Sequence, residues 1–160
     1  MATKSLTFME AVKTCFKKYA TFKGRARRSE FWWFMLAINI PNWILGAILQ
    51  QVSSAKSALV QESMTKIFAG EDVSALAAQE ETYAHINLVL MIIMAAWALF
   101  TLIPSIAAAV RRLHDVGKSG HMLWLCLVCG IGGLIPMIMC IPDGKPEPNQ
   151  YGESPKYKQE

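Results

Sequence analysis

The sequence predicts an all-α, polytopic integral membrane protein with three transmembrane helices and an amino-terminal amphipathic interfacial helix. The chain has 160 residues, of which 53% are hydrophobic and only 18% charged, whereas a soluble protein carries about 25% charged residues. Three long segments contain no Asp, Glu, Lys or Arg, and the charge between them alternates in sign. The length favours one domain over residues 1–160.

This composition also excludes several classes of protein. A disordered chain needs low hydrophobicity and high charge, which this sequence does not have. Four cysteines in 160 residues are too sparse for a disulfide scaffold. The net charge of +4 is mild, and we expect no nucleic-acid partner from it.

Residues 1–30 are predicted to be a cytoplasmic, amphipathic and basic segment. Thr7-Phe8-Met9-Glu10 matches the capping-box pattern, which places a helix start near residue 8. Apolar side chains then recur at spacings of three and four residues, at Phe8, Val12, Cys15, Phe16 and Tyr19. The pattern is typical of a helix lying on the cytoplasmic leaflet, and equally of a short helix packed on the protein's own cytoplasmic face.

The three charge-free segments are long enough to cross a bilayer. A bilayer core of about 30 Å needs about 20 apolar helical residues. We assign the spans to residues 31–53, 86–110 and 122–142. A core helix of a soluble protein keeps a polar face, and the middle segment has none. The first span follows a long charged region, so we expect a retained anchor rather than a cleaved signal peptide.

The loop over residues 54–85 is predicted to lie outside the cytoplasm and to contain a second short helix. Apolar residues at helical spacing indicate that helix, at Val60, Met64, Ile67 and Phe68. The sequence Gly70-Glu71-Asp72 is expected to end it.

The charges between the spans predict the orientation of the chain. Residues 1–30 carry a net charge of +6 and residues 53–85 a net charge of −3. Residues 111–121 carry +2 and residues 143–160 carry −1. The positive-inside rule therefore places the amino terminus and the loop 111–121 in the cytoplasm. The polar tail 143–160 is expected on the opposite side, or in the cytoplasm if the third segment is re-entrant.

Two basic motifs fall on the predicted cytoplasmic side. They are FKGRARRSEFWWF at residues 22–34 and RRLHDVGKSG at residues 111–120. Arg forms bidentate pairs with carboxylates and phosphates, so a structural Arg–carboxylate cluster or a site for anionic lipid or a partner is predicted. Its candidate residues are Arg25, Arg27, Arg28, Glu30, Arg111, Arg112, His114, Asp115 and Lys118. Glu30 is expected to pair with Arg111 or Arg112.

These two motifs resemble the signatures of the domain-of-unknown-function 805 family of small bacterial inner-membrane proteins. Asn149-Gln150-Tyr151-Gly152 is similar to the family's carboxy-terminal Asn-Arg-Tyr-Gly, with Gln150 in place of Arg. His121-Met122 stands where the family usually has a Trp pair. The resemblance implies a multi-pass protein of the bacterial inner membrane, with its amino terminus in the cytoplasm and no established activity.

The sequence contains no complete catalytic or cofactor motif. His114-Asp115 resembles part of a metal-dependent phosphohydrolase site, but only His85 and His121 could add imidazole ligands, and zinc needs three or four. Cys126 and Cys129 have redox spacing inside an apolar segment, where cysteine is usually inert. We therefore expect no enzyme, no metal and no cofactor.

The favoured function is a non-enzymatic membrane scaffold, sensor or accessory subunit. Its arginine-rich cytoplasmic face would contact anionic head groups or a membrane-protein partner, which could be a second copy of the chain. The alternative is a small oligomeric transporter or channel. The spans carry no ionisable side chain, which a transporter usually has.

Overall fold

The computed structural model describes residues 6–125 and 134–157 and is helical. Its α-helices are α1 (Phe8–Lys17), α2 (Arg28–Ala69), α3 (Ser74–Asp115) and α4 (Leu134–Met139). A 3-10 helix, Gly120–Trp124, follows α3. Within the described residues there is no β-strand, and an isolated bridge joins Asn149 and Gly152.

Helix α1 begins with the capping box that the sequence predicts. The Thr7 hydroxyl accepts a hydrogen bond from the backbone N–H of Glu10, at 3.4 Å. The Glu10 carboxylate accepts one from the backbone N–H of Thr7, at 2.8 Å. The two bonds satisfy N–H groups that the first helical turn leaves without intrahelical partners.

The two long helices end in the same way, in a glycine with positive φ. The φ angles are 77° at Gly70 and 78° at Gly117, a region that side-chain-bearing residues rarely adopt. After α2, Gly70 and Glu71 donate backbone hydrogen bonds to the Ile67 and Lys66 carbonyls. The corresponding pair of bonds follows α3. This is the Schellman pattern, which satisfies carbonyls at a helix end.

The chain divides into two compact units, residues 39–100 and the remainder. We call the latter unit, residues 1–38 and 101–160, the arginine end. Its small apolar core consists of Cys15, Phe31, Phe34, Ile38, Ala108, Leu113 and Cys140. Helix α1 contributes Cys15 and also Phe16, whose ring meets that of Phe34 edge-on with centroids 5.5 Å apart. Helix α1 thus packs on α2, and the sequence left this arrangement open.

The second unit, residues 39–100, we call the hairpin unit. It contains the larger part of α2, the turn at Gly70 and the first part of α3. Side-chain hydrogen bonds join the two helices, from Ser53 to Asn87 and from Ser63 to Glu80. Its large apolar side chains are mostly exposed: for example Trp43 is 65% and Met91 59% exposed.

Both long helices are long and apolar enough to cross a membrane. Only 11% of the most apolar 18-residue window of α2 is buried, and 6% of that of α3. A core helix of a soluble protein would bury most of such a window. The apolar side chains of both windows are therefore mostly exposed, as they are in helices that face lipid.

Residues 54–85 differ from the predicted loop with a short helix. Residues 54–69 continue α2 without interruption and residues 74–85 belong to α3, so a turn of four residues joins two helices of 42 residues each. The segment is rich in Ala, Gln, Glu and Lys, which favour helix even where the chain is polar. The predicted break falls where the structure has it, at Gly70.

The structure describes only the two ends of the predicted third span, residues 122–142. Met122 and Leu123 at its start and Met139 and Cys140 at its end belong to, or pack against, the same apolar core. Residues 126–133 lie outside the described residues, so the third span stays a prediction.

Candidate functional site: a buried arginine cluster

The chain brings the two basic motifs together at the start of α2 and the end of α3. The backbone N–H of Ala26 donates to the Arg111 carbonyl at 3.0 Å, which joins the segment before α2 directly to α3. Adjacent residues on a helix point about 100° apart. Arg111 and Arg112 therefore extend to different sides of α3 and find different partners.

Arg111 pairs with Glu30 from the first turn of α2. Its Nη1 lies 2.8 Å from Glu30 Oε1, and both side chains are almost fully buried. Arg111 Nε also donates to the Ala107 carbonyl at 3.2 Å. The thiol of Cys15 lies beside this pair, 3.8 Å from Glu30 Oε1 and 3.9 Å from Arg111 Nη2. Glu30 therefore pairs with Arg111 and not with Arg112, the other partner that the sequence predicted.

Asp115 accepts from two arginines at once. Arg25 Nε lies 2.9 Å from Asp115 Oδ1. The other carboxylate oxygen accepts from Arg112 Nη1, one helical turn earlier on α3. Asp115 is 3% exposed, Arg25 6% and Arg112 0%. Each carboxylate oxygen has its own guanidinium, a geometry in which burying the charges is tolerated.

Backbone carbonyls complete the coordination of these two guanidinium groups. Arg25 donates to the carbonyls of Glu147 at 2.8 Å, Gly152 at 3.3 Å and Asp115 at 3.3 Å, and also to that of Lys145. Five N–H donors on each guanidinium need acceptors once they are buried. The carbonyls supply them without adding negative charge.

Arg112 is held in the same way by the chain that follows α4. Its Nε donates to the Cys140 carbonyl at 3.1 Å, and its Nη2 donates to the Pro142 carbonyl. Its Nη1 reaches the Ala26 carbonyl at 3.4 Å. Among the described residues, no buried side-chain nitrogen or oxygen is left without a hydrogen bond.

His114 anchors the segment 149–152, which we call the tail loop. The rings of His114 and Tyr151 stack face to face, with centroids 3.7 Å apart and an angle of 4° between the ring planes. His114 Nδ1 lies 3.2 Å from the Gly24 carbonyl, and Asn149 Nδ2 donates to the His114 carbonyl at 2.9 Å. The imidazole is therefore engaged in ring stacking and in a hydrogen bond at Nδ1.

The close approach of the chain at Gly144 fixes its residue type. The Lys145 backbone N–H donates to the Asp115 carbonyl at 3.1 Å, which draws the preceding glycine onto the carboxylate. A Cβ at Gly144 would overlap the Asp115 carboxylate. Position 144 therefore has no room for any side chain while Asp115 keeps its two arginines.

Three of the predicted site residues lie outside this buried cluster. Arg28 and Lys118 are exposed, and Arg27 is half-buried. Arg27 and Arg28 line a cavity of about 280 Å³ at the start of α2, whose other lining residues are Ser29, Asp115, Asp143, Gly144 and Lys156. Lys156 Nζ lies 2.6 Å from Asp143 Oδ2 at this cavity. This ion pair shifts both pKa values: Lys156 holds that of Asp143 below its ordinary value, and Asp143 raises that of Lys156.

The Cys15 thiol is a poor nucleophile in this environment. Burial and, to a smaller extent, the neighbouring Glu30 carboxylate raise the pKa of Cys15 to about 12. The thiolate is the reactive form of cysteine. Cys126 and Cys129, which have redox spacing but were expected to be inert, lie outside the described residues. No group of three metal-ligating side chains occurs in residues 6–125 and 134–157.

The sequence did not reveal the tail as part of the site. The carbonyls that hold Arg25 and Arg112 come from residues 140–152. Residues 140–142 were assigned to the third span, and the charge count favoured the opposite side of the membrane for the tail that follows. Backbone acceptors carry no residue-type signal. One signal in the sequence was available: the two motifs contain more arginines than carboxylates. Because buried guanidinium groups need acceptors, this excess indicates that backbone carbonyls from elsewhere in the chain contribute to the site.

Two long apolar helices with exposed aliphatic side chains, together with buried ion pairs, are the features of a helical membrane protein. The chain belongs to the family described as protein of unknown function (DUF805), whose model matches residues 19–153. The matched range contains every arginine and carboxylate of the buried cluster.

Two relatives from Escherichia coli (strain K12) support the family and its location. The chain is 30% identical over 141 residues to inner membrane protein YhaI, covering 88% of this chain and 91% of the relative. It is 28% identical over 140 residues to inner membrane protein YhaH, with the same coverage. No solved structure matches the chain. The resemblance seen in the sequence motifs is thus confirmed.

Proposed function

We propose that this chain is a two-span inner-membrane scaffold whose arginine end lies on the cytoplasmic side and contacts anionic lipid. Helices α2 and α3 would each cross the bilayer once, through residues 31–53 and 86–110. The segment 122–142 would enter and leave on the cytoplasmic side. The amino terminus and the tail would then share that side, unlike in the tail-out arrangement that the charge count alone favoured.

The charge distribution supports this topology. With two spans, one side holds residues 1–30 and 111–160, and the other holds residues 54–85. The first side carries 14 of the 16 Lys and Arg residues, against seven of the 12 acids. The other carries two Lys against five acids. The positive-inside rule assigns the first side to the cytoplasm.

The division of the cations into two groups carries the functional proposal. Arg25, Arg111 and Arg112 are buried and fully paired, so they stabilise the unit and cannot reach a lipid. A second set of cations on the same unit is exposed and includes Lys13, Lys17, Lys23, Arg28 and Lys118. Each basic residue near an anionic leaflet contributes about 1 kcal/mol to attraction. The exposed set is the lipid-contacting group.

Lipid retention during purification tests the scaffold proposal. A variant with these five exposed cations replaced by Gln is extracted in mild detergent beside the wild type. A matched control replaces Lys56 and Lys66 of the hairpin unit. We expect co-purified phosphatidylglycerol to fall relative to phosphatidylethanolamine in the first variant only. Unchanged enrichment there, or solute flux in liposomes containing this chain alone, would contradict the scaffold and favour a channel.

Cysteine accessibility in spheroplasts tests the topology separately. Single cysteines at Ser74, Lys118 and Lys156 report on the hairpin turn, the end of α3 and the tail. A membrane-impermeant maleimide is expected to label position 74 from outside, and positions 118 and 156 only after lysis. Labelling of position 156 in intact spheroplasts would restore the three-span arrangement.

A further inference from the structure

We infer that the cavity at the start of α2 is a binding site for a single phosphate group, carried by an anionic phospholipid or free in the cytoplasm. The inference rests on the proposed function, because it gives the lipid-contacting end one defined site. The cavity occupies about 280 Å³ and is lined by Arg27, Arg28, Ser29 and Lys156, together with Asp115, Asp143 and Gly144. Ligand pockets occupy roughly 300–1,000 Å³, so this cavity lies just below that range and has room for a head-group phosphate.

The positive charge in this cavity exceeds what its own carboxylates use. The charge of Asp115 is neutralised by Arg25 and Arg112, neither of which lines the cavity. Asp143 pairs with Lys156. Arg28 therefore keeps its charge for a ligand, and its side chain is exposed.

The geometry of α2 adds to this attraction. The helix begins at Arg28, so Arg28 and Ser29 occupy its first two positions. The first N–H groups of a helix have no intrahelical acceptor, and the helix dipole places partial positive charge there. Anions bind at such ends, and here a guanidinium and a hydroxyl accompany the N–H groups.

Asp143 marks the cavity as a place where an anion is already held. Its pKa is held below the ordinary value, chiefly by the hydrogen bond from Lys156 and then by the charges of Lys156, Arg28 and Arg112. The carboxylate therefore occupies part of the positive field that a phosphate would use. A phosphate would compete with Asp143 for Lys156, so Asp143 limits the affinity of the site.

The position of the cavity along α2 matches the depth of a lipid head group. Arg28 lies three residues before the charge-free segment 31–53. At 1.5 Å per residue this places it about 5 Å outside the apolar span, where the lipid phosphates lie. A lipid phosphate could reach the cavity without leaving its leaflet.

Titration of the purified full-length chain with inorganic phosphate tests the site directly. The chain is reconstituted in phosphatidylcholine nanodiscs, and binding is measured by calorimetry for the wild type and three variants. We expect saturable binding of one phosphate per chain. Arg28→Gln should weaken it about fivefold, the loss expected for one basic contact. Asp143→Asn should strengthen it, because it removes the competing carboxylate and releases Lys156.

Lys118→Gln is the matched control, since Lys118 is an exposed cation of the same unit outside the cavity lining. It should change phosphate affinity less than twofold. Equal effects of Arg28→Gln and Lys118→Gln, or no gain from Asp143→Asn, would overturn the site. So would the absence of saturable binding to the wild type. All three side chains are exposed, and a thermal melt of each variant confirms that the fold is kept.

Repeating the titration in phosphatidylglycerol nanodiscs distinguishes the two sources of the phosphate. Weaker apparent binding than in phosphatidylcholine identifies a lipid that already occupies the cavity, and equal binding identifies free phosphate as the ligand. The outcome is separable from that of the scaffold proposal. If the five-cation variant loses phosphatidylglycerol while Arg28→Gln behaves like Lys118→Gln, general attraction to the leaflet stands and the defined site fails.

Discussion

The arginine end and the hairpin unit of this protein differ in the kind of side chain that each buries and exposes. The arginine end holds Arg111, Arg112 and Asp115 at 0–3% exposure. The hairpin unit exposes its aliphatic and aromatic residues and joins its helices by serine, asparagine and glutamate side chains. In lipid, apolar surface needs no burial, so a unit there can expose it. Charges near the head groups can be removed from solvent only when each finds a partner.

The largest expected difference in stability is between breaking a buried ion pair and breaking an exposed one. Asp115→Asn keeps the shape of the side chain but leaves Arg25 and Arg112 buried without a counter-charge. Losing one partner of a buried pair costs about 3–5 kcal/mol. Glu62→Gln breaks the exposed pair with Lys66 in the hairpin unit and should leave stability unchanged, since exposed pairs contribute little. Thermal unfolding in detergent measures both, and equal shifts would contradict the comparison.

A pair of glycines tests packing in the two units. Gly144→Ala drives a methyl group into the Asp115 carboxylate and should cost about 1–3 kcal/mol. Gly46→Ala places the same methyl inside α2, where nothing lies within 4 Å. It should be neutral or stabilising by up to ~1 kcal/mol, the difference in helix propensity. Denaturant titration of the reconstituted chain reports both changes, and destabilisation by Gly46→Ala would contradict the comparison.

Two aromatic side chains give a smaller contrast. Tyr151→Ala removes the ring stacked on His114 and should lower stability by about 1 kcal/mol beyond its lost buried area. The tail should then be cut faster by a protease under native conditions. Phe68→Ala removes a side chain that is 88% exposed in the hairpin unit and should leave the cleavage rate unchanged. Equal cleavage of the Tyr151→Ala variant and the wild type would show that the tail is held by other contacts.

The smallest effect concerns the Cys15 thiol and its response to pH. The pKa of Cys15 is raised to about 12 from an ordinary 9.0, so the protonated thiol contributes fully to the stability of the fold below pH 9. That contribution is lost as the pH rises from 9 towards 12. With Cys126, Cys129 and Cys140 replaced by Ala, Cys15 should resist maleimide from pH 7 to 9. A cysteine introduced at Ser74 should react readily, and faster as the pH rises. Comparable rates at the two positions would contradict the burial of Cys15.

The sequence predicted those features that depend on residue type at fixed spacing. The capping box at Thr7, the break at Gly70 and the joining of the two basic motifs all have local or charge-pattern signals. The sequence limited the partner of Glu30 to two arginines. It could not decide between Arg111 and Arg112, because that depends on how α3 is rotated about its own axis. The apolar spans of α2 and α3 were visible from hydropathy alone.

The features that the sequence missed depend on backbone groups and on contacts between residues distant in the chain. Length and hydropathy do not detect that the described ends of residues 122–142 pack on one core. The tail carbonyls that hold Arg25 have no side-chain signature. The polar residues 54–85 were interpreted as a loop with one short helix because charge was weighted above helix propensity, although the composition favours helix.

The contacts of Arg25 also set an order of events during synthesis. The Glu147 and Gly152 carbonyls follow Arg25 by 122 and 127 residues. Chains emerge from the ribosome at about 5–20 residues per second, amino terminus first. Arg25 thus waits about 6–25 seconds, at these rates, while both apolar helices are made. Closure of the arginine end is therefore a late step of biogenesis, and until it occurs the Arg25 guanidinium has to remain hydrated or find other acceptors.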